Sequence, residues 1–184
     1  MVEDQNFLKV RKFFISIFLF LISINVSFAE NLIFKKIIDL NDPWGSTFIN
    51  NNELLITEKS GKIKLINLNS KKISEVNHNL NYLEHGQGGL LDVLLKDSFV
   101  YISYSENRGA GKTSTSIAKA KFDKKKLNFK NIFQANPPIN SGYHFGSRLA
   151  IKDNFLFASA GERGEGMIAQ DPTKHPGSII RINI

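Results

Sequence analysis

The chain has 184 residues, 42% of them hydrophobic and 22% charged, with a formal net charge of +7. That composition excludes a disordered, collagen-like or low-complexity chain and allows one ordinary domain with a sizeable core. Cysteine is absent, which excludes disulfides, thiolate catalysis and Cys-ligated zinc or iron–sulfur sites.

Residues 1–29 read as a secretory signal. Lys9, Arg11 and Lys12 form a basic stretch, and an apolar run from Phe13 to Ile24 follows, broken only by serines. The run is shorter than the ~20 residues a membrane-spanning helix needs. Ser27-Phe28-Ala29 puts small residues at the two positions a signal peptidase reads, so cleavage is expected before Glu30. An uncleaved anchor is the alternative; in both cases residues 30–184 are exported. The lysines are scattered, apart from Lys71-Lys72 and Lys124-Lys125-Lys126. A nucleic-acid protein would show a clustered stripe with a recognisable motif. These lysines read instead as solvated turn residues, and neither a nucleic-acid partner nor a membrane contact after cleavage is expected.

From residue 44 onward, strand signals dominate. Glu53–Glu58 and Lys62–Asn67 alternate polar and apolar around Lys59-Ser60-Gly61, a hairpin with a glycine turn. Val100–Tyr104 pairs with Ser114–Phe122, and Phe155–Ala160 with Ser178–Ile182. Each pair is preceded by a glycine-marked strand: Trp44–Ile49, Gly88–Leu95 and Phe145–Ile151. The first two units add an outer strand, Lys72–Val76 and Leu127–Phe133. No 3.6-residue period is sustained over three turns. The units start about 44 and 57 residues apart. Four-stranded repeats of roughly 40–50 residues predict the blades of an all-β propeller. Propellers close with about 4–8 blades, and only two full units and a third, stopping inside its third strand, are present. The expectation is the N-terminal part of a larger ring, against the alternative of a complete small sandwich.

Three constellations can carry chemistry. Gly86-Gln87-Gly88-Gly89 lets the backbone turn sharply and present the Gln87 amide as donor and acceptor. Ser141-Gly142-Tyr143-His144-Phe145-Gly146-Ser147-Arg148 opens the innermost strand of the third unit, where the His144 imidazole can serve as a general base towards an alcohol. Arg148 shares its face and is either an anion partner or, the favoured reading, a structural pair between blades. Ala160-Gly161-Glu162-Arg163-Gly164-Glu165 ends the neighbouring strand, so Glu162 can approach His144 and either charge-stabilise the imidazolium or bind a sugar hydroxyl. His175 reads as a loop anchor rather than a ligand. Gly109-Ala110-Gly111-Lys112-Thr113 ends like a phosphate-binding loop but has Glu106 where that loop needs glycine, and reads as a hairpin connection.

Together these motifs resemble those of the soluble quinoprotein glucose/aldose sugar dehydrogenases. The order Pro43-Trp44-Gly45, Leu55-Ile56-Thr57-Glu58, Gly86–Val93, His144–Leu149, Gly161-Glu162-Arg163-Gly164, Ala169-Gln170-Asp171 and Gly177–Asn183 covers essentially all of residues 40–184. The resemblance implies a six-bladed periplasmic propeller that binds pyrroloquinoline quinone with calcium over its central channel. It implies oxidation of the C1 hydroxyl of an aldose to a lactone, with electrons passing on to an external acceptor. It implies His144 as the base, close to the quinone. It places Gln87 near quinone and sugar, and Glu162 at an acidic position beside the base. In the family the cations that hold the quinone carboxylates and the calcium ligands lie in later blades, so no metal ligand is expected here and the piece alone is expected to be inactive. Two other readings stand beside the enzyme. One is a non-catalytic exported propeller binding carbohydrate or a protein partner. The other is an incompletely read gene whose product does not fold.

Overall fold

The computed structural model describes residues 32–184, so the expected signal segment lies outside the described residues. Lys36–Ile184 forms a unit of its own. Among the described residues, eleven of the twelve strands make three antiparallel meanders. The first holds β1 (Pro43–Asn50), β2 (Glu53–Glu58), β3 (Lys62–Asn67) and β4 (Ile73–His78). The second holds β5 (Leu90–Lys96), β6 (Phe99–Asn107), β7 (Thr113–Lys121) and β9 (Lys130–Gln134), and the third β10 (Gly146–Lys152), β11 (Phe155–Ala160) and β12 (Ser178–Asn183). β8 (Lys126–Leu127) is considered below.

Turn chemistry closes these meanders locally. Asn50 Oδ1 accepts from the Asn52 amide at 2.9 Å between β1 and β2, and Asn67 Oδ1 accepts from Asn69 and Ser70 between β3 and β4. Such side-chain-to-backbone bonds give the chain a turn in place of a ladder. Gly109–Lys112 joins β6 to β7, so the segment resembling a phosphate-binding loop is a hairpin connection.

One stretch departs from expectation. Leu127–Phe133 is not a single outer strand. Lys126–Leu127 pairs in parallel with β4 of the first sheet, Asn77 opposite Lys126 and His78 opposite Leu127. Only Lys130–Gln134 continues as the outer strand beside β7. The split is held by Asn79, whose side chain donates to Phe129 O at 3.1 Å and accepts from Phe129 N at 2.7 Å. The lysines before it sit in a turn: Lys124 pairs with Glu53 at 2.7 Å, and Asp123 Oδ1 accepts from the Lys125 and Lys126 amides.

The core lies between sheets. Leu55, Ile63, Leu65 and Val76 of the first sheet meet Leu90, Val93, Val100 and Ile102 of the second. Tyr101 and Ile117, on the other face of the second sheet, meet Leu149, Leu156 and Ala158 of the third. The middle sheet is therefore buried on both faces, and β6 lacks the polar–apolar alternation in exposure that β12 keeps. Each buried leucine, isoleucine or valine among these contributes about 1.5–3 kcal/mol.

Buried polar contacts set the register of the inner strands. Thr57 Oγ1 accepts from Gly45 N and donates to Leu91 O, joining the first sheet to β5. Ser103 Oγ donates to Ser147 O at 2.7 Å, and Asp92 Oδ2 accepts from Leu149 N at 2.8 Å, joining the second sheet to β10. Arg148 Nη1 reaches Asp92 Oδ1 at 3.2 Å, the pairing between blades that the sequence favours.

Candidate active site

Three loops converge at the entrance to the inner strands. The first, leading into β5, carries Gln87. Gly86 takes a φ of +59°, and a Cβ there would lie 2.9 Å from Gly142 Cα, so only glycine lets this loop touch the next. Gln87 N donates to Gly142 O at 2.7 Å, and Lys59 Nζ holds Gly86 O at 3.0 Å. Gln87 also lines a recess of about 350 Å³ with Asp42, Pro43, Trp44, Lys59 and Gly86.

The second loop, Ser141–Phe145, carries His144. The imidazole does not open the strand, as the spacing predicts. β10 begins at Gly146, and His144 precedes it with a φ of +47°. A non-glycine residue held there stores strain of order 1–3 kcal/mol, which neighbouring contacts must offset. Exposure still alternates, with His144, Gly146 and Arg148 open and Phe145, Ser147 and Leu149 buried. The third loop follows β11 and carries Glu162; Gly161 N donates to Phe145 O at 3.0 Å.

The structure brings His144, Gln87 and Glu162 together. His144 Nδ1 bonds Glu162 Oε1, and His144 N donates to Gln87 Oε1 at 2.8 Å. A carboxylate can only accept, so Nδ1 carries the proton and the Nε2 lone pair is the basic one. Among the described residues Nε2 has no protein partner, and the side chain is 54% exposed. The Gln87 oxygen is engaged by the His144 amide, and among the described residues its Nε2 has no protein partner.

The His144 hydrogen bond holds the Glu162 carboxyl below its ordinary 4.5, against a smaller desolvation effect in the opposite direction. A carboxyl lowered by folding stabilises the fold fully above its unfolded value, and that share disappears as pH falls through the lowered value. The stability difference between wild type and Glu162→Gln should therefore shrink as pH falls from the ordinary carboxyl range through the lowered value. Urea unfolding over a pH series measures it, and a difference constant with pH would refute the pairing.

Two expectations about neighbouring residues hold. His175 anchors a loop: its Nδ1 accepts from Asn136 N at 2.9 Å, and its ring meets Phe133 edge-on. Arg148 is tied to Asp92, as above. Arg163, by contrast, gives no hint in the sequence of its place in the fold, and the sequence assigns it no role. Its side chain is buried, the residue being only 2% exposed. Nε donates to Tyr143 O at 2.9 Å, Nη1 to Thr113 O at 3.1 Å, and Nη2 to Thr113 Oγ1 at 2.7 Å and to Ser141 O. The guanidinium stacks 3.6 Å from the Phe145 ring centre. Burial pulls its pKa down to about 10, so it stays charged at neutral pH.

The same series of loops and blades recurs in known proteins. A sequence model described as Glucose / Sorbosone dehydrogenase matches residues 40–184. The chain belongs to that family. It is similar to the Escherichia coli (strain K12) protein named aldose sugar dehydrogenase YliI, 31% identical over 153 residues, 78% of this chain and 41% of that protein. It is likewise similar to the Synechocystis protein slr1608, at 33% identity over 170 residues, covering 78% of this chain and 41% of that one. The apo-form crystal structure of the soluble aldose sugar dehydrogenase from Escherichia coli superposes with a TM-score of 0.74 at 31% identity, over 78% of this chain and 44% of that one. The PQQ-bound aldose sugar dehydrogenase from Streptomyces coelicolor, at 24% identity, shares the fold with a TM-score of 0.69, over 79% of this chain and 45% of that one. The three sheets are thus blades of the β-propeller that these sugar dehydrogenases have. The chain spans less than half the length of these relatives.

The polar groups of these loops can be weighed against the quinone that the Streptomyces coelicolor structure holds. His144 and Gln87 stand on neighbouring loops joined by the His144 amide, and each keeps a side-chain nitrogen without a protein partner among the described residues. The carboxylates of such a cofactor need cations as well. Here Arg148 and Arg163 are both engaged within the fold. Among the described residues no group of three or more His, Cys, Asp or Glu side chains is placed to hold a metal ion.

Proposed function

We propose that these blades belong to an exported, periplasmic quinoprotein that oxidises the C1 hydroxyl of an aldose to the lactone. One observation carries this reading. His144 is bonded through Nδ1 to Glu162 and presents a free, exposed Nε2, the arrangement of a general base with its orienting carboxylate. In this reading Nε2 takes the hydroxyl proton. Glu162 stabilises the imidazolium that forms. Gln87 Nε2 donates to a substrate or cofactor oxygen. Pyrroloquinoline quinone, when bound, supplies the electron sink for the C1 hydride and passes the electrons to an external acceptor. Calcium accompanies the quinone, with ligands outside the described residues.

Dye reduction dependent on both quinone and aldose, assayed in the product of the whole reading frame, tests the proposal. Activity that appears only with quinone, calcium and an aldose supports it. Quinone taken up without sugar turnover refutes it. A second reading, a propeller that binds carbohydrate without catalysis, is favoured by the engagement of both site arginines within the fold. An absorbance titration separates the two, because that propeller leaves the quinone spectrum unchanged in the presence of calcium.

A further inference from the structure

We propose that Arg163 is a positioning residue for the His144 base, and that it acts together with Gln87 on the single peptide group joining Tyr143 to His144. The inference rests on the reading of His144 as a base.

That peptide is held at both ends. Its carbonyl, Tyr143 O, accepts from Arg163 Nε at 2.9 Å, and its amide, His144 N, donates to Gln87 Oε1 at 2.8 Å. The two side chains come from different blades, and both bond this group. His144 keeps its left-handed φ of +47° between them. Every acceptor of Arg163 belongs either to the Ser141–Phe145 loop or to Thr113 at the start of β7. Among the described residues no carboxylate lies within 4.0 Å of the guanidinium. A buried cation without an acidic partner is costly to hold, and a role confined to stability is served as well by an apolar side chain. What an apolar residue cannot do is aim a planar fork of donors at four oxygens while stacking on Phe145. Glu162 is the residue before Arg163, so the same clamp sets the carboxylate that meets Nδ1.

Lysine keeps the charge but loses both the fork and the stacking. In Arg163→Lys the chain should stay folded. Hydrogen exchange at the His144 amide should quicken by about tenfold or more. The Glu162 carboxyl should titrate closer to its ordinary value, because the Nδ1 bond that lowers it becomes looser. Gln87→Ala should quicken exchange at the same amide, and the double variant should do little more than either single one, since both act on one peptide. Exchange and carbon-detected carboxyl titration by NMR on the chain give these readouts.

Additive effects of the two substitutions, or a lower unfolding midpoint with His144 exchange and Glu162 titration unmoved, would overturn the proposal. Should Arg163→Lys not fold, Thr113→Val decides by the same two readouts, since it removes one partner of the guanidinium with little change of shape. None of these measurements needs quinone or sugar. Failure of the dehydrogenase reading would therefore leave the clamp standing, and failure of the clamp would leave the dehydrogenase reading intact.

Discussion

His144→Ala is expected to lower aldose turnover by about 10²–10⁴-fold, the usual contribution of a positioned general base, with the unfolding midpoint nearly unchanged. The two halves of that statement have separate causes. The side chain is more than half exposed, so its removal leaves no cavity in the core. The hydrogen bonds that fix the loop run through the His144 backbone amide to Gln87 and through Tyr143 O to Arg163, and alanine keeps both. Only the Nδ1 bond to Glu162 is lost from the fold, and an exposed pair of this kind contributes about 1 kcal/mol at most. Steady-state dye reduction beside urea unfolding checks both halves. Undiminished turnover would remove His144 from the chemistry.

Asp92→Ala is the substitution expected to damage the fold most selectively, by about 3 kcal/mol. The carboxylate is buried at the junction of β5 and β10. It accepts from Val93 N at 3.0 Å, Leu149 N at 2.8 Å and Arg148 Nη1 at 3.2 Å. Without it the Leu149 amide is buried and unpaired, which costs about 1–3 kcal/mol, and a charged acceptor is lost besides. Arg148→Ala touches the same pair and should cost under about 1 kcal/mol, because the arginine is 73% exposed and the aspartate only 4%. Chemical denaturation of the two variants tests the asymmetry. Equal losses would mean that the ion pair, rather than the buried amide, holds the blades together.

Much of this architecture is legible in the residues. Glycine and asparagine turns between alternating runs mark eleven of the twelve strands, because hairpin pairing depends on neighbours in sequence. Lys126–Leu127 is the exception, for its partner β4 lies in another sheet, and a parallel pairing across blades leaves no periodic trace. The meeting of His144 with Glu162 follows from placing both at the same end of one blade. The left-handed backbone at His144 does not, since histidine adopts that conformation only in a minority of cases and nothing beside it singles out this one. Arg163 is hidden for a related reason. Its burial is created by Thr113, 50 positions earlier in the chain, and by Phe145, while the residues beside it are glycine and glutamate. Gln87 is legible as polar and loop-borne, but the bond from its oxygen to the His144 amide emerges only from the fold.

The short parallel rung between β4 and β8 has a mechanical consequence. It laces the outer rim of the first sheet to the connection between the last two strands of the second, with Asn79 and Lys124 as further stitches. Prising these two sheets apart means tearing main-chain bonds as well as separating greasy surfaces. Neighbours that in a simple stack would peel away in succession are thereby yoked, and give way in a single step.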